Sequence, residues 1–453
     1  MCAVNRDLRR DLYAAAAAAL LVVTAAAVGT GIEHRNGSLR VGWPPLLATW
    51  EPHVGPGTPA AIAVAVAVVA YGPALAARLP WRPLLLATWG AALAWTWSLA
   101  LVDGWYRGIA QQLTTRNEYL QVIGRFNDIP SALRDFTHHI LIGSPDNWPA
   151  HIAGHPAGAT VTFVLLDHIG LRGGGWAGAF VITVGTTATM AVLIAVRTLT
   201  DDHLARRAAP FLALAPAAVW VGTSADGYFT AVAAWAVALL ALAVTGHHPR
   251  WTGLASGLLF GLTAYLSYGL TLFALIAAAV LLLGGLPHSR LRSSGGTPIP
   301  RPLPFLLAGL AVVPAVFTAL GFNWWEAYRL LVTRYYQGAG GVRPYGYWVW
   351  ANLACTVFIV GPATAAGLRR TATTLTHRTQ APAFRLAVLV AATLLALLIA
   401  DASGMSKAET ERIWLPFAMW LLPSCAFLTG ARGWLAAQAV LALLVNHLLL
   451  TGW

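Results

Sequence analysis

The chain is poor in charged residues. Asp, Glu, Lys and Arg make up 10% of its 453 residues, whereas hydrophobic residues make up 58%. A water-soluble protein needs about a quarter of its residues charged, so the composition excludes a soluble multidomain enzyme and a disordered protein. Lysine is nearly missing, since Lys407 is the only lysine among 29 basic residues. The net charge of +12 does not indicate nucleic-acid binding, because the arginines sit in short clusters between apolar runs instead of in one patch.

Cysteine is scarce as well. Cys2, Cys355 and Cys425 lie far apart, form no CxxC pair, and the last two fall inside apolar runs. This pattern excludes a disulfide framework and a cysteine-ligated zinc site. We expect no cofactor and no metal site, with a divalent cation as the open alternative.

Long apolar runs dominate the rest of the sequence. A helix needs about 20 predominantly apolar residues to cross a hydrocarbon core of ~30 Å. The sequence therefore predicts an all-α, polytopic integral membrane protein with roughly 11–14 transmembrane helices. The predicted spans are 12–32, 59–77, 84–102, 156–170, 176–196, 209–222, 228–245, 252–268, 270–286, 303–321, 347–367, 383–400, 413–430 and 434–450.

Arginine clusters predict which ends of the spans face the cytoplasm, because short cytoplasmic loops carry an excess of Lys and Arg. With these clusters inside, four long connections fall outside, at 33–58, 103–155, 322–346 and 401–412. The clusters are Arg6, Arg9 and Arg10; Arg78 and Arg82; Arg290, Arg292 and Arg301; and Arg369, Arg370 and Arg378.

The run 156–170 does not fit this topology easily. Arg197, Arg206 and Arg207 also favour the cytoplasm, which conflicts with a full crossing at 156–170. Either that run is re-entrant or the number of crossings changes by one.

Acidic residues concentrate on the predicted outer side, where 12 of the 17 fall. Any single one of them can be explained simply, because acidic residues occupy outward loops that arginine avoids. As a set, however, they indicate that the outer face carries the chemistry. The twelve are Glu33, Glu51, Asp103, Glu118, Asp128, Asp135, Asp146, Asp226, Glu326, Asp401, Glu409 and Glu411.

The longest outward loop, 103–155, contains two amphipathic segments. Apolar residues recur at three- and four-residue spacing, which predicts short helices lying on the membrane surface. The first segment has Tyr119, Val122, Ile123 and Phe126, and the second has Leu133, Phe136 and Ile140 within 129–142.

Four short motifs accompany this organisation: RNEY at 116–119, GHPAG at 154–158, SADG at 224–227 and KAETERIWLPF at 407–417. Together with the outward loop and its interfacial helices, they resemble the GT-C superfamily of membrane glycosyltransferases, which use polyprenyl-phosphate sugars as donors. Relatives often carry HPPG or HPPL where this chain has His155-Pro156-Ala157-Gly158, which weakens the match at that motif. Within the superfamily the pattern is most similar to the actinobacterial methylthioxylose transferase type.

The resemblance implies a GT-C-like bundle and an inverting transfer of a sugar from a polyprenyl-phosphate donor to a cell-wall polysaccharide or lipoglycan. Methylthioxylose transfer to mannan or arabinan is the subfamily expectation, and another arabinofuranosyl- or mannosyltransferase is the alternative. The expected location is the plasma membrane, crossed many times, with the active site outside. The bilayer is an expected partner and nucleic acid is not. A transporter or lipid flippase and a membrane scaffold are the competing classes.

The predicted spans and loops divide the chain into five regions, and the resemblance places the catalytic carboxylate early in the large outward loop. The regions are 1–102, N-terminal transmembrane segments; 103–158, the outward loop with the catalytic residue; 159–286, central transmembrane segments; 287–302, a cytoplasmic linker; and 303–453, C-terminal transmembrane segments with a donor-binding loop at 401–412.

Glu118 occupies the catalytic place and is predicted to be the general base that deprotonates the acceptor hydroxyl. An ordinary solvated carboxylate at a helix start is its alternative interpretation. Asp103, directly after a span, is the rival catalytic candidate, and an interfacial helix-end residue is the plainer interpretation.

Six further residues are predicted to bind donor or acceptor. Glu411 and Arg412 would enter a predicted span, where an unpaired charge is costly. This cost favours Arg412 as a ligand of the donor phosphate, although a buried structural Glu–Arg pair explains the same pattern. Three other candidates have plainer interpretations: Arg116 as a surface arginine, His155 as a histidine that caps backbone groups, and Asp226 as an ordinary turn residue. The six are Arg116, His155, Asp226, Lys407, Glu411 and Arg412.

Overall fold

The computed structural model describes residues 2–285, 302–377 and 381–452. It is almost entirely helical, which confirms the predicted all-α class. Two short strands, β1 (Ala48–Trp50) and β2 (Leu449–Thr451), pair antiparallel with Thr49 opposite Leu450. The helices are α1 (Cys2–Asn36), α2 (Thr58–Arg78), α3 (Trp81–Ala100), α4 (Ile129–Asp135), α5 (Ala150–Gly154), α6 (Ala157–His168), α7 (Gly173–Thr186), α8 (Ala188–Leu199), α9 (Asp202–Ala213), α10 (Ala218–Val221), α11 (Ala225–Val244), α12 (Pro249–Leu266), α13 (Phe273–Gly285), α14 (Leu303–Ala319), α15 (Trp324–Gln337), α16 (Ala339–Val342), α17 (Tyr345–His377), α18 (Ala381–Ala402), α19 (Thr410–Ile413), α20 (Leu415–Leu421) and α21 (Ala431–Leu448).

Eight helical segments in the described part of the chain are long and apolar enough to cross a membrane. This confirms a polytopic membrane protein. A bent pair, α14 and α15, meets at 78° and adds a ninth if it counts as one span. The eight are Arg6–Asn36, Thr58–Arg78, Trp81–Asp103, Gly173–Leu199, Ala225–Val244, Tyr268–Gly285, Tyr345–His377 and Ala381–Ala402.

Contacts between helix ends define two opposite faces. The start of α17 lies against the end of α1, where the hydroxyl of Tyr347 donates to the carbonyl of Ala25 at 2.9 Å. Towards the other ends of these helices, Arg370 binds the carboxylate of Asp11 at 2.7 Å. We call the face with the 103–155 loop the loop face and the face with Arg370 the basic face.

The basic face collects the arginines that were predicted to lie inside, as far as they are described. Arg206 donates to the carbonyl of Leu79 at the end of α2. Arg207 donates to the carbonyl of Leu428, which follows the 3₁₀ turn Leu422–Phe427 that packs against α17. The predicted linker 287–302 lies outside the described residues except for Pro302. The same holds for Arg290, Arg292, Arg301 and Arg378.

Shorter helices also run between the two faces, although they fall below the length or apolarity needed for the count of eight. For example, α21 starts near Leu428 on the basic face and ends on the loop face, where Asn446 donates to the carbonyl of Leu99. By length and composition, the described residues hold eight or nine candidate spans, against the roughly 11–14 that the sequence predicted. The shorter helices are α9 with α10, α12, α14, α20 with the 3₁₀ turn Leu422–Phe427, and α21.

The helix α6 begins and ends on the loop face. Phe163 in α6 stacks on Tyr119 of the loop, with ring centroids 5.2 Å apart. Beyond α6, Gly174 at the start of α7 packs directly against the carbonyl of Ala110. From there α7 and α8 reach the basic face, where Arg197 stacks over Trp81 at 4.3 Å. The run 156–170 therefore does not cross, and the conflict with Arg197 disappears.

Both amphipathic segments of the long loop fold as short helices on the loop face. The 3₁₀ helix Tyr119–Phe126 buries Tyr119, Val122 and Phe126. The second segment forms α4 and the 3₁₀ turn Phe136–His139, and it buries Leu133, Phe136 and Ile140. The spacing correctly predicted short amphipathic helices, but their apolar sides pack onto the helical bundle and not onto a membrane surface.

Candidate active site

A cluster of buried charged groups lies on the loop face. We call it the Arg412 cluster, and it consists of Glu118, His151, Asp226, Glu409 and Arg412. Arg412 is at its centre. Its Nη1 donates to Asp226 Oδ2 at 2.7 Å, and its Nη2 donates to Glu409 Oε2 at 3.1 Å and contacts His151 Nε2 at 2.9 Å. His151 Nδ1 contacts Glu118 Oε1 at 2.8 Å.

Four separate elements hold these side chains. Glu118 immediately precedes the 3₁₀ helix Tyr119–Phe126, and His151 is on α5, which is tied to the loop because the amide of His151 donates to the carbonyl of Asn117 at 3.1 Å. Asp226 is in the first turn of α11, where Ser224 caps the helix and donates to the Asp226 carboxylate. Arg412 is on α19.

The hydrogen bonds fix the tautomer of His151. A guanidinium can only donate, so His151 Nε2 accepts from Arg412 and carries no proton. Nδ1 then bears the ring proton and donates it to Glu118. A neutral imidazole therefore joins the carboxylate of Glu118 to the positive charge of Arg412.

Burial makes the ionic contacts of Arg412 strong. Arg412 is 5% exposed and Asp226 3% exposed, so water screens their interaction weakly. Burial alone would lower the pKa of Arg412, but the charges of Asp226 and Glu409 outweigh it and raise that pKa. Burial would likewise raise the pKa of Glu409, yet the charges of Arg412 and Arg343 lower it overall.

A second basic residue supports Glu409 from the opposite side. Arg343 Nη1 lies 3.3 Å from Glu409 Oε1 and donates to the carbonyl of Lys407 at 2.8 Å. Arg343 Nε donates to the carbonyl of Leu39 at 3.0 Å. The Lys407 ammonium itself donates to the carbonyl of Gly340 at 2.9 Å, so Lys407 lies beside the cluster without joining it.

Glu411 points away from the cluster although it precedes Arg412 in sequence. It is fully buried, its Oε1 accepts from the amide of Leu47 at 3.0 Å, and its Oε2 is buried with no hydrogen-bond partner among the described residues. Burial raises the pKa of Glu411 to about 7. Arg412 pairs with Asp226 and Glu409, and not with Glu411.

His155 lies next to the cluster, behind His151. Its Nδ1 contacts the carbonyl of His151 at 2.7 Å, and its ring packs against Tyr119. Burial lowers the pKa of His155 to about 4, so the ring is neutral at physiological pH. Burial, together with the negative charges of Asp226 and Glu118, raises the pKa of Tyr119, which therefore keeps its hydroxyl proton.

Asp103 and Arg116 lie outside the cluster. Asp103 pairs with His53 at 3.0 Å, in a separate group on the same face that also contains the Arg107–Glu51 pair at 2.9 Å. The side chain of Arg116 is exposed and makes no hydrogen bond or ion pair to any residue that the structure describes.

Sequence reasoning missed His151 and Arg343 and left Glu409 out of the binding set. His151 and His155 form an HxxxH spacing that signals one helical face, and this signal was available in the sequence. Their rings nevertheless serve different partners. Within residues 2–285, 302–377 and 381–452, no group of three His, Cys, Asp or Glu side chains is arranged to hold a metal ion.

Comparisons with known proteins give a distant structural likeness. The chain matches no protein-family profile and no curated protein. Among solved structures it is similar to the oligosaccharyltransferase of Archaeoglobus fulgidus tethered to an acceptor peptide, at 14% identity and a TM-score of 0.42, covering 75% of this chain and 49% of that one.

The same oligosaccharyltransferase in complex with Zn and sulfate gives 15% identity and a TM-score of 0.38, covering 79% of this chain and 53% of that one. In the apo form it gives 12% identity and a TM-score of 0.37, covering 80% of this chain and 50% of that one. The chain spans about half the length of these structures. Likeness at this level carries no argument about activity, which rests on the site itself.

Removing the central guanidinium tests the electrostatics of the cluster. Arg412→Gln leaves Asp226 and Glu409 buried without their counter-charge, so we expect a loss of about 3–5 kcal/mol in the free energy of unfolding. Adding Asp226→Asn should restore part of this loss, because one stranded charge disappears. Thermal unfolding of the purified protein measures both effects. Arg329→Gln, which removes an exposed arginine, is the control, and equal melting temperatures for Arg412→Gln and the control would contradict the account.

Glu411 predicts a pH-dependent stability. The pKa of Glu411 is about 7 in the folded protein and that of an unfolded glutamate is about 4.3. The contribution of protonated Glu411 to the free energy of unfolding is therefore fully present below about pH 4.3 and is lost as the pH rises through about 7. Glu411→Gln cannot ionise, so it should melt a few degrees above the wild type at pH 8 and close to it at pH 5. Melting curves across this range, with Glu51→Gln as control, measure the difference. A constant offset between mutant and wild type at all pH values would refute the assignment.

Proposed function

We propose that this protein is a membrane glycosyltransferase that moves a sugar from a polyprenyl-phosphate donor to a hydroxyl of a cell-envelope glycan. The observation that carries the proposal is the convergence of the four motif segments. Glu118, His155, Asp226 and Arg412 come from RNEY, GHPAG, SADG and KAETERIWLPF in turn. Glu118, Asp226 and Arg412 are joined through hydrogen bonds in one buried cluster, and His155 packs beside it.

In this proposal Glu118 is the general base. Its Oε1 is held by the His151 N–H, and no hydrogen bond to Oε2 is found among the described residues. Oε2 takes the proton of the acceptor hydroxyl, while the acceptor oxygen forms a bond to the anomeric carbon. The bond between that carbon and the phosphate oxygen breaks, and the lipid phosphate leaves with the electron pair. Attack opposite the leaving group inverts the anomeric configuration.

His151 and Arg412 act as positioning residues for Glu118. Arg412 fixes the tautomer of His151, and His151 orients the carboxylate through a short hydrogen bond. These two hydrogen bonds keep the Glu118 carboxylate from rotating away from the acceptor and stabilise its negative charge before the reaction.

We also propose that the reaction needs no resident metal. Asp226 and Glu409 are the carboxylates that a cation would recruit, and both already bind Arg412.

Methylthioxylose is the sugar that the family resemblance suggests, with arabinofuranose and mannose as the alternatives, and mannan or arabinan is the suggested acceptor. The loop face would lie outside the plasma membrane, because the basic face carries the arginines that short cytoplasmic loops favour.

Sugar transfer by Glu118→Gln tests the proposal. Proteoliposomes containing the purified protein are incubated with radiolabelled decaprenyl-phosphate sugars and a mannan or arabinan acceptor. Loss of a general base lowers the rate by about 100-fold or more, whereas Glu51→Gln, a half-exposed carboxylate on the same face, should keep wild-type transfer. Wild-type turnover by Glu118→Gln would remove Glu118 from the mechanism, and no transfer of any sugar by the wild type would refute the proposed class.

A further inference from the structure

An apolar groove of about 340 Å³ lies between α2, α3 and α9, and it is lined by none of the residues of the Arg412 cluster. Small side chains create the space. Ala76, Ala87, Ala91, Ala209 and Ala213 face it from three helices, and longer side chains at these positions would fill it. The deep wall is buried, whereas Tyr71 and Ala87 at the rim are exposed, so the groove opens sideways from the bundle.

The groove occupies the half of the bundle next to the basic face. It follows α2 from Ala67 to Leu79, a rise of about 18 Å. A bilayer has a hydrocarbon core of ~30 Å, so the groove is about as long as one leaflet is thick. It ends beside the turn between α2 and α3, which lies on the basic face. A chain lying in it therefore belongs to a lipid of the leaflet on that face.

Two arginines lie next to the lining residues Leu79 and Leu84, in and beside the turn between α2 and α3 at the end of the groove. Arg78 and Arg82 flank the turn, both are exposed, and in the parts of the chain that the structure describes neither forms an ion pair. The nearby acidic group, Asp202, is already paired with Arg197 at 2.8 Å and with Arg206. Arg206 also donates to the carbonyls that end α2. Arg78 and Arg82 thus remain for an anion at the level of the lipid headgroups.

We infer that this groove is a binding site for an anionic phospholipid, with one acyl chain between the three helices and the phosphate against Arg78 and Arg82. An unfilled groove would forfeit the dispersion contacts of its walls, and hydrocarbon is the filling that the membrane supplies. The two arginines select lipids with a net negative headgroup over zwitterionic ones. The bound lipid fills the space between α2, α3 and α9 and contacts all three helices, at the opposite end of the bundle from the proposed active site.

Native mass spectrometry of the purified, delipidated protein tests the inference by titration with phosphatidylglycerol and with phosphatidylethanolamine of the same chains. We expect one phosphatidylglycerol to bind about 10- to 30-fold more tightly than phosphatidylethanolamine. Arg78→Gln combined with Arg82→Gln should abolish that preference. Ala87→Phe, which fills the rim of the groove, should lower the affinity for both lipids by at least about 10-fold.

Two matched variants serve as controls. Ala94→Phe adds the same ring to an exposed position of α3 outside the groove, and Arg10→Gln removes an exposed arginine of the basic face on α1. Both should bind phosphatidylglycerol as the wild type does. Equal affinity for the two lipids, or unchanged binding by Ala87→Phe, would overturn the inference. Displacement of phosphatidylglycerol by decaprenyl phosphate at equal concentration would also overturn it, because the groove would then belong to the sugar donor.

Discussion

One buried guanidinium holds the loop face together. Arg412 comes from the end of the chain, yet it binds Asp226, which lies 186 residues earlier, and His151, which lies 261 residues earlier. A charge taken out of water costs several kcal/mol unless well-placed partners offset it. The long loop, α11 and α19 must therefore meet at this point. Glu118 is positioned by this constraint, because its hydrogen bond goes to the same histidine that Arg412 fixes.

The bilayer imposes the wider arrangement around that cluster. Charged groups are expensive in hydrocarbon, and the protein keeps them at its two ends. Exposed arginines cover the basic face, whereas most carboxylates lie on the loop face, some of them buried and paired. This asymmetry separates the proposed reactive site, on the loop face, from the proposed phospholipid groove, next to the basic face. The proposed donor and the structural lipid would approach from opposite leaflets.

The sequence predicted what periodicity and composition control. Apolar runs indicated the membrane helices, arginine clusters indicated the basic face, and the spacing of Tyr119, Val122 and Phe126 indicated a short amphipathic helix. The sequence could not predict which side chains contact each other across the bundle. Glu411 and Arg412 are adjacent, so sequence suggested a joint role, but α19 turns Glu411 towards Leu47 and Arg412 towards Asp226. The helix α6 is apolar enough to resemble a span, and only its packing on the loop shows that it does not cross.

The sidedness of the loop face is the most direct test of the account. Gly124 and Gly433 are exposed, and an added side chain at either would meet open space, so each accepts a cysteine. Gly124 belongs to the loop face and Gly433 to the basic face. In a Cys2→Ser background, with the buried Cys355 and Cys425 retained, intact cells are treated with a membrane-impermeant maleimide. Labelling of Gly124→Cys but not Gly433→Cys places the Arg412 cluster outside the cytoplasm, as the account predicts. Labelling of Gly433→Cys alone would place Glu118 in the cytoplasm and contradict it.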